Sequence, residues 1–328
     1  MTARRRFIAS STLALSSALA PLLARAQAPA RNVTIGILNF GDAPKAGAPP
    51  EPITVALRGL GYVEGRNVRY IRRYAGGKRD AYAMLAAAIL REPVDVVYTP
   101  GSDIAQAFKA AGPRVPIVFT ASDDPVASGL VETLARPGGM FTGVTLMSPE
   151  LAGKRLELLK IALPALRRVA ILYDPQHNAS YMADMQAAAQ RMDVAFLPVR
   201  VDEPTGFPAA FDTATKYRAD AMFVEPNRFT LIYARRLGEL AIQHRIAAIS
   251  AYDTFAHAGG LLAYGARYEE QAVRAAALID RIVKGARPAD LPVEQPTRFV
   301  LVVNQRTAKA LGLTLPESLL LRADEVIE

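Results

Sequence analysis

The sequence predicts an α/β protein built as two doubly wound parallel-sheet lobes that are joined by a three-strand hinge. Short apolar runs rich in β-branched residues end in turn residues and alternate with helical stretches, a pattern typical of βαβ units. The order of these runs starts again after Gly143-Val144-Thr145. The chain of 328 residues also exceeds what one compact core usually holds, which favours two lobes.

The first half contains four strand-like runs separated by helical stretches. The predicted strands are Val33–Leu38, Val68–Tyr74, Val94–Tyr98 and Val115–Thr120. The predicted helices are Ile53–Leu60, Asp80–Arg91, Asp103–Ala111 and Val126–Ala135. The second strand is more polar than the other three, which indicates a position at the edge of the sheet.

The second half repeats this order with four further strand-like runs. These predicted strands are Val169–Tyr173, Val194–Val201, Asp220–Val224 and Ile246–Ser250. Asp95-Val96-Val97-Tyr98 in the first half corresponds to Asp220-Ala221-Met222-Phe223 in the second. The matching order indicates a pseudo-repeat, and therefore two lobes of similar architecture.

The C-terminal part has a different order of predicted strands and helices, and this order predicts how the lobes are connected. A strand at Leu261–Gly265 precedes one long amphipathic helix, Tyr268–Lys284, which ends at Gly285 and Pro288. Another strand, Arg298–Val303, precedes a helix at Gln305–Leu311 and a short closing helix from Pro316 onward. If the strands near 144, 264 and 299 each cross between lobes, the first lobe comprises 30–145 plus 266–297. The second then comprises 146–265 plus 298–328.

The N-terminus is predicted to be an export signal covering residues 1–26. Arg4-Arg5-Arg6-Phe7-Ile8 forms a basic segment, the uncharged run Ala9–Ala24 follows, and cleavage is expected after Ala26 or Ala28. The paired arginines before x-Phe-Ile resemble a twin-arginine signal. A membrane anchor is the alternative, although serines and a proline make the apolar span short. We therefore expect a periplasmic protein.

Composition excludes several classes of protein. The chain has no cysteine, which excludes disulfides, a thiolate nucleophile and a lipid-anchored N-terminus. Removal of the signal takes four arginines and lowers the formal charge from +8 to +4, so nucleic-acid binding is not expected. No later segment is long and apolar enough for a spanning helix.

The loops that follow the predicted strands are the candidate ligand site, because parallel sheets bind ligands at the carboxyl ends of their strands. The first lobe offers Asn39, Phe40, Thr99, Gly101, Ser102, Ser122, Asp123 and Asp124. The second lobe offers Asp174, Asn178, Glu225, Asn227, Tyr252, Asp253 and Tyr264. Hydroxyls and helix-terminal amides suit a ligand carboxylate, and acidic groups suit a ligand amine. The alternative is that Ser102, Asp174 and Asn178 are helix caps or turn residues, and that the tyrosines are core-edge residues.

Templates for catalysis, cofactors and metals do not match the sequence. Gly59-x-Gly61-x-x-x-Gly65 lacks the spacing of a dinucleotide-binding loop, and Gly76-Gly77-Lys78-Arg79 lacks that of a phosphate loop. There is no G-x-S-x-G elbow, and the three histidines show no metal-ligand spacing. No catalytic residue, metal or cofactor is therefore expected, although Asp123-Asp124 could form a carboxylate pair.

Longer segments resemble a known family over essentially the whole mature chain. They are Gly61–Val68, Val115–Phe119, Asp124–Val131, Arg136–Val144, Lys154–Leu159, Ala258–Gly265, Pro288–Pro296 and Thr307–Leu313. On these segments the chain resembles the substrate-binding proteins of ABC transporters in the tryptophan/tyrosine-binding group. Three hinge passages are likewise typical of type I, lac-repressor-like periplasmic binding proteins.

The resemblance implies a non-enzymatic protein whose lobes close on a small-molecule ligand. It also implies delivery of that solute to an ABC permease in the inner membrane, and we expect a monomer without a cofactor. Some members of the family bind aromatic amino acids. The chain departs from the family at Asp174-Pro175, where Asn-Pro is common, and an acid there changes the polarity of the pocket wall.

Two other functions remain open on the sequence. The same lobes could serve a periplasmic sensor subunit that reports a ligand to a membrane signalling protein. An exported hydrolase could use Asp123, Asp124 or Glu225.

Overall fold

The computed structural model describes residues 32–146, 151–175 and 179–328, whose strands form two sheets. The first sheet and the helices on it are called the first lobe. Its strands are all parallel and follow the order β2-β1-β3-β4-β5. They are β1 (Val33–Asn39), β2 (Val68–Tyr74), β3 (Val96–Pro100), β4 (Ile117–Ala121) and β5 (Phe141–Thr145).

Helices connect the strands from β1 to β4 in turn, as in a doubly wound sheet. They are α1 (Pro52–Gly59), α2 (Tyr82–Leu90) and α3 (Ser102–Ala110), with a 3-10 turn at Arg79–Ala81 before α2. All five residues of β4 and of β5 are buried. Burial on both faces is expected of parallel strands covered by helices.

The second sheet and its helices form the second lobe. Its strand order is β12-β11-β10-β9-β8-β6-β7, and all pairs are parallel except β10 with β11. The strands are β6 (Arg168–Tyr173), β7 (Ala195–Arg200), β8 (Ala221–Val224), β9 (Ala247–Ser250), β10 (Leu262–Gly265), β11 (Val300–Asn304) and β12 (Glu325–Ile327).

The helices of the C-terminal half surround this sheet, apart from one that returns to the first lobe. They are α4 (Ala152–Ala162), α5 (Ala179–Arg191), α6 (Phe207–Lys216), α7 (Arg228–Ile232), α8 (Ala234–Gln243), α9 (Asp253–His257), α10 (Tyr268–Val283), α11 (Gln305–Leu311) and α12 (Glu317–Leu320). Short 3-10 turns lie at Pro204–Gly206 and Pro288–Asp290.

The two sheets share one topology. The order β2-β1-β3-β4-β5 recurs as β7-β6-β8-β9-β10, with parallel pairing throughout both runs. The pseudo-repeat of the sequence is therefore a repeat of structure, and the predicted fold class is confirmed. The antiparallel β10–β11 pair makes the second sheet parallel-dominated and not wholly parallel.

The chain passes between the sheets three times, after β5, after β10 and before β11. Helix α10 follows a strand of the second sheet but belongs to the first lobe. Its Ala275 and Ile279 share a buried cluster with Ile35 of β1 and Leu57 of α1. Near the first and third passages, a parallel bridge joins Val144 to Glu294.

Two local predictions differ from the structure. Val126–Ala135, predicted as a helix, forms turns and bends instead. Asp124 Oδ1 accepts hydrogen bonds from the amides of Val126 and Ala127, and Gly129 then adopts a positive φ of 68°, which ends the helical path. In the tail, α12 is present as predicted, but the chain then adds β12, a strand too short to show a period.

The predicted export signal lies outside the described residues, as do His177 and Asn178. Among the residues that are described, no helix combines the length and the apolar character needed to cross a membrane.

Candidate functional site

The carboxyl-end loops of the two sheets meet at a partly open cavity, which we call the cleft; the space between its walls, open solvent included, is about 440 Å³. Such loops are where doubly wound sheets bind ligands. The first lobe lines it with Arg79, Pro100, Gly101, Asp103, Thr120, Ser122 and Tyr268. The second lobe lines it with Asn227, Arg228, Phe229, Leu231 and Tyr252, and Leu146 of the first connection completes the lining.

Arg228, the first residue of α7, reaches across the cleft into the first lobe. Its Nη2 lies 2.8 and 2.9 Å from the two carboxylate oxygens of Asp103 and donates to the Tyr82 hydroxyl at 2.9 Å. Its Nη1 donates to the carbonyl oxygen of Pro100. Burial acts to lower the pKa of Arg228, but Asp103 and Tyr82 outweigh it and raise the pKa above its usual value.

Gly101 provides the space that this guanidinium occupies. It has a φ of 149°, in the region that only glycine adopts readily. A Cβ at this position would lie 1.5 Å from Nη1 of Arg228 and 2.9 Å from Oδ1 of Asp103. The guanidinium also lies over the Phe40 ring, 5.2 Å from its centroid. The loop between β3 and α3 is thus shaped as a socket for Arg228.

A second ion pair crosses the cleft in the opposite direction. Arg79, in the 3-10 turn after β2, forms a bidentate ion pair with Asp174, which directly follows β6. The Asp174 side chain is only 1% exposed. Burial acts to lower the pKa of Arg79, but Asp174 outweighs it and raises the pKa. Each lobe therefore gives one arginine and one aspartate to the contact between them.

Buried Glu225 supports the second-lobe side of this pair. Its Oε2 accepts a hydrogen bond from the backbone N–H of Asp174 at 2.8 Å and lies 3.4 Å from Nδ2 of Asn227. Asn227 is the N-cap of α7, where its Oδ1 accepts from the Thr230 amide at 2.8 Å. The loops that follow β6 and β8 are therefore held together beneath the cleft.

Tyrosine side chains form the floor of the cleft close to the connections between the lobes. The Tyr252 hydroxyl is hydrogen-bonded to Ser122 of the opposite lobe. Its ring meets that of Tyr268 edge to face, with centroids 6.2 Å apart. Burial raises the pKa of both tyrosines, so their hydroxyls stay protonated and neutral. The floor can donate hydrogen bonds and pack against a flat ring.

A wider groove, which we call the outer groove, adjoins the cleft; the space between its walls, open solvent included, is about 1220 Å³. Arg79 and Phe229 line both spaces and so stand between them. The remaining lining residues are Phe40, Gly76, Gly77, Lys78 and Asp80 of the first lobe, and Asp202, Glu203, Pro204 and Tyr233 of the second.

The structure brings four of the sequence-predicted residues to the cleft wall. They are Gly101, Ser122, Asn227 and Tyr252. Asp174 and Glu225 lie behind that wall in the network just described, and Phe40 lies beneath Arg228. Ligand contact by any of these residues stays a prediction.

Other predicted residues lie outside the cleft lining. Asn39 donates to Glu51 at 2.7 Å, and Asp253 pairs with Arg267 of the second connection, with an N–O distance of 3.4 Å. The Tyr264 ring packs near Phe299, while its carbonyl oxygen accepts from Nε of buried Arg155 at 2.7 Å.

Four further predicted residues are placed in or near the first sheet. Thr99, Ser102 and Asp123 are buried, and Asp124 holds the turn that replaces the predicted helix. Asn178 is outside the described residues.

Sequence reasoning missed the charged residues of the cleft, Arg79, Asp103 and Arg228, and also Phe229 and Tyr268. Asp103 and Arg228 each directly follow a residue that was singled out. The available signal was Arg228 itself, because a cation in the first turn of a helix opposes the helix dipole and needs a compensating partner.

The arrangement is suited to binding. The cleft combines side chains of both charges, hydroxyls and aromatic rings, and both lobes supply them. Within the described ranges, no group of three or more His, Asp or Glu side chains is placed to hold a metal ion.

Two lobes of one topology, connected by three passages and meeting at a polar and aromatic cleft, define the class of two-lobed solute-binding proteins. The chain belongs to the ABC transporter substrate binding protein family, whose model matches residues 34–327. The predicted family, and the prediction of a binding protein and not an enzyme, are confirmed by this match.

Known proteins similar to this chain agree with that assignment. A tyrosine-binding protein of Clostridioides difficile (strain R20291) is 23% identical over 282 residues, covering 85% of this chain and 81% of the relative. A solved conserved domain protein of Vibrio cholerae has a TM-score of 0.81 at 23% identity, and covers 90% of this chain and 100% of its own. An ABC domain of Streptococcus pneumoniae in complex with L-Trp has a TM-score of 0.80 at 24% identity, with the same coverage.

Proposed function

We propose that this protein is the periplasmic solute-binding component of an ABC-type importer, and that its ligand is an aromatic amino acid. The observation that carries the proposal is the composition of the cleft wall. Aromatic Phe229, Tyr252 and Tyr268 line the same cavity as polar Ser122 and Asn227. A ligand with a flat ring and a polar end matches such a wall. The names of the C. difficile relative and of the L-Trp complex support this choice.

In the proposed mechanism, the lobes close around the solute by bending at the three connections. Ser122 and Tyr252 belong to opposite lobes, so a solute that hydrogen-bonds to both has its full set of contacts only when the cleft is closed. The lobes we propose are 30–145 plus 266–297 and 146–265 plus 298–328. The partners are an inner-membrane permease and its ATPase, and the protein acts as an exported monomer.

A thermal-shift titration of the mature protein, starting at Gln27, tests the ligand. L-tryptophan and L-tyrosine are expected to raise the unfolding midpoint with concentration, with about 2.7 kcal/mol of stabilisation at a hundredfold excess over the Kd. L-leucine and D-tryptophan are the controls, and calorimetry gives the stoichiometry. A midpoint that moves only with a non-aromatic solute would replace the ligand. A midpoint that no amino acid, nucleoside, small carboxylate or envelope extract moves would contradict solute capture.

A further inference from the structure

We propose that the pairs Arg79–Asp174 and Arg228–Asp103 form an interlobe latch. The four side chains are positioning residues: they stabilise the closed arrangement of the lobes by contacting each other, and they raise ligand affinity without touching the ligand. The effect on affinity rests on the proposed function, whereas the effect on closure does not.

The two pairs have reciprocal geometry. Each pair joins side chains from opposite lobes, at sequence separations of 95 and 125 residues. Because Arg79 and Arg228 come from different lobes, the pairs cross the cleft in opposite directions. Opening of the cleft would separate both arginines from their aspartates, so both pairs favour closure.

All four side chains of the two pairs are buried or partly buried. The exposed fractions of the side chains are 24% and 1% for Arg79 and Asp174, and 12% and 23% for Arg228 and Asp103. Charges at such positions interact more strongly and are screened less by salt than charges on the surface. Loss of one partner leaves the other charge uncompensated only while the cleft is closed, since the open cleft admits water. Each single loss is therefore expected to favour the open form.

The two pairs lie at different distances from the outer groove. Arg79 lines both the outer groove and the cleft, so the Arg79–Asp174 pair lies between the two spaces. Arg228 is held deeper, in the socket of Pro100, Tyr82 and Asp103. The outer pair is therefore expected to slow ligand release, in addition to its effect on the lobes.

A competing interpretation is that Arg228 contacts the ligand directly. Nε of Arg228 is buried and has no hydrogen-bond partner among the described residues, so it could serve a ligand directly. An experiment must therefore separate latch residues from ligand-contacting residues. Exchange of the two members of a pair does this, because it preserves the attraction between the lobes and reverses the charges offered to a ligand.

The first measurement is the distance between the lobes without any added solute. The chain has no cysteine, so Met84→Cys on α2 and Arg235→Cys on α8 provide unique sites for a fluorescent donor and acceptor. Arg79→Asp and Asp174→Arg are each expected to increase the interlobe distance, and the double exchange is expected to restore it. Arg287→Asp is the matched control, because the Arg287–Asp290 pair is exposed and lies within one lobe.

The second measurement is the affinity for L-tryptophan and L-tyrosine and its kinetics. Each single variant is expected to bind about tenfold more weakly with faster release, and the double exchange is expected to recover most of the affinity. A distance that the single variants leave unchanged overturns the latch. Recovery of the distance without recovery of affinity also overturns it, because the residues then contact the ligand. If wild-type protein binds neither amino acid, the ligand proposal fails while the distance measurement still decides the latch.

Single charge reversals could unfold the protein, so milder variants accompany them. Arg79→Lys keeps the charge and loses the bidentate geometry, and a small increase in the interlobe distance is expected. The thermal midpoint of each variant is measured alongside. A variant that lowers the midpoint but leaves the distance unchanged would assign Arg79 a structural role and would contradict the latch.

Discussion

The loop between β3 and α3 and the loop between β8 and α7 occupy equivalent positions in the two sheets, and they meet across the cleft. The first loop has Gly101 at the helix N-cap, with no side-chain cap and a positive φ. The second has Asn227 at that position, with a full capping box to Thr230, and a helix that begins with Arg228. The Gly101 loop leaves space for a side chain, and the Asn227 loop holds the start of a capped helix from which Arg228 extends.

This difference shows how a duplicated topology can produce a complementary interface. Two identical loops would have placed like groups opposite each other. Here glycine leaves room for a guanidinium, and the first-lobe loop gives it a carboxylate and a carbonyl oxygen. Gly101, Arg228 and Asn227 are the elements of this contrast, whereas Tyr252 and Asp253 lie outside it.

Gly101→Ala is expected to have the largest effect, because the new Cβ would overlap the Arg228 guanidinium. If the closed population falls to about 1%, the apparent Kd for L-tryptophan or L-tyrosine rises by roughly a hundredfold. Calorimetry measures this change. Gly139→Ala is the matched control, since Gly139 has a φ of 62° but no neighbour within 4 Å of a Cβ. Equal affinity losses in both variants would contradict the steric explanation.

Arg228→Met removes the cation and keeps an unbranched apolar chain. Hydrogen bonds to charged groups contribute about 2 kcal/mol, so affinity should fall by roughly thirtyfold. Arg235→Met, at an exposed position of α8, is the control, with an unchanged Kd expected. A wild-type Kd for Arg228→Met would show that the contacts of Arg228 with Asp103 and Pro100 do not stabilise the closed form.

Asn227→Ala removes the helix cap that supports Arg228. Chemical denaturation should show a loss of about 1 kcal/mol in the free energy of unfolding. Asn304→Ala provides the comparison, because Asn304 caps α11 through the Thr307 amide and does not line the cleft. Both variants should lose stability, Asn304→Ala the more because its Nδ2 also donates to the buried carbonyl oxygen of Ala256 at 2.8 Å. Only Asn227→Ala should also lose affinity, by about tenfold. If Asn227→Ala and Asn304→Ala have similar affinities for the ligand, the cap at Asn227 does not contribute to binding.

Tyr252→Phe deletes the hydroxyl that bonds to Ser122 on the other lobe. A single neutral hydrogen bond contributes about 1 kcal/mol, which corresponds to roughly a fivefold weaker affinity with an unchanged fold. Tyr173→Phe, in the second lobe and away from the cleft lining, serves as the control. A larger loss than in Arg228→Met would reverse the ranking of charged and neutral interlobe contacts.

Asp253→Asn should have the smallest effect, and it depends on pH. Burial, with Glu269, raises the pKa of Asp253 above its ordinary value of 3.8, so the folded state holds the proton more tightly than the unfolded chain. Stability from this residue is therefore highest below 3.8 and falls as pH rises toward the folded pKa.

Denaturation midpoints at several pH values check this assignment. The asparagine variant should lack that decline. Asp290→Asn should remove a contribution of the opposite sign. Arg287 lowers the pKa of Asp290, so the stability from that residue is present above its ordinary pKa and is lost as pH falls. If the denaturation midpoints of wild type and Asp253→Asn change in parallel with pH, the raised pKa of Asp253 is contradicted.

The sequence was sufficient for features that depend on local pattern. Alternation of apolar runs and helices gave the two sheets, and the strand ends gave Gly101, Ser122, Asn227 and Tyr252, which line the cleft. The sequence pattern did not predict contacts between residues that are far apart in the chain. Asp174 was identified at its strand end, but its partner Arg79 is 95 residues away, in a turn with no periodic signal.

The incorrect helix at Val126–Ala135 has a local cause of a different kind. Its apolar spacing is helical, but a hydrogen-bonded turn at Asp124 and the left-handed Gly129 compete with the helix and prevail.

The return of α10 to the first lobe determines the order in which this chain can complete its folding. Ile35 and Leu57 are covered by residues of α10, so the first lobe lacks part of its core until Tyr268–Val283 has been synthesised. By then, strands β6 to β10 of the second sheet have already been synthesised. Neither lobe is a contiguous stretch of sequence, and a fragment that ends at Thr145 would expose the surface that α10 covers.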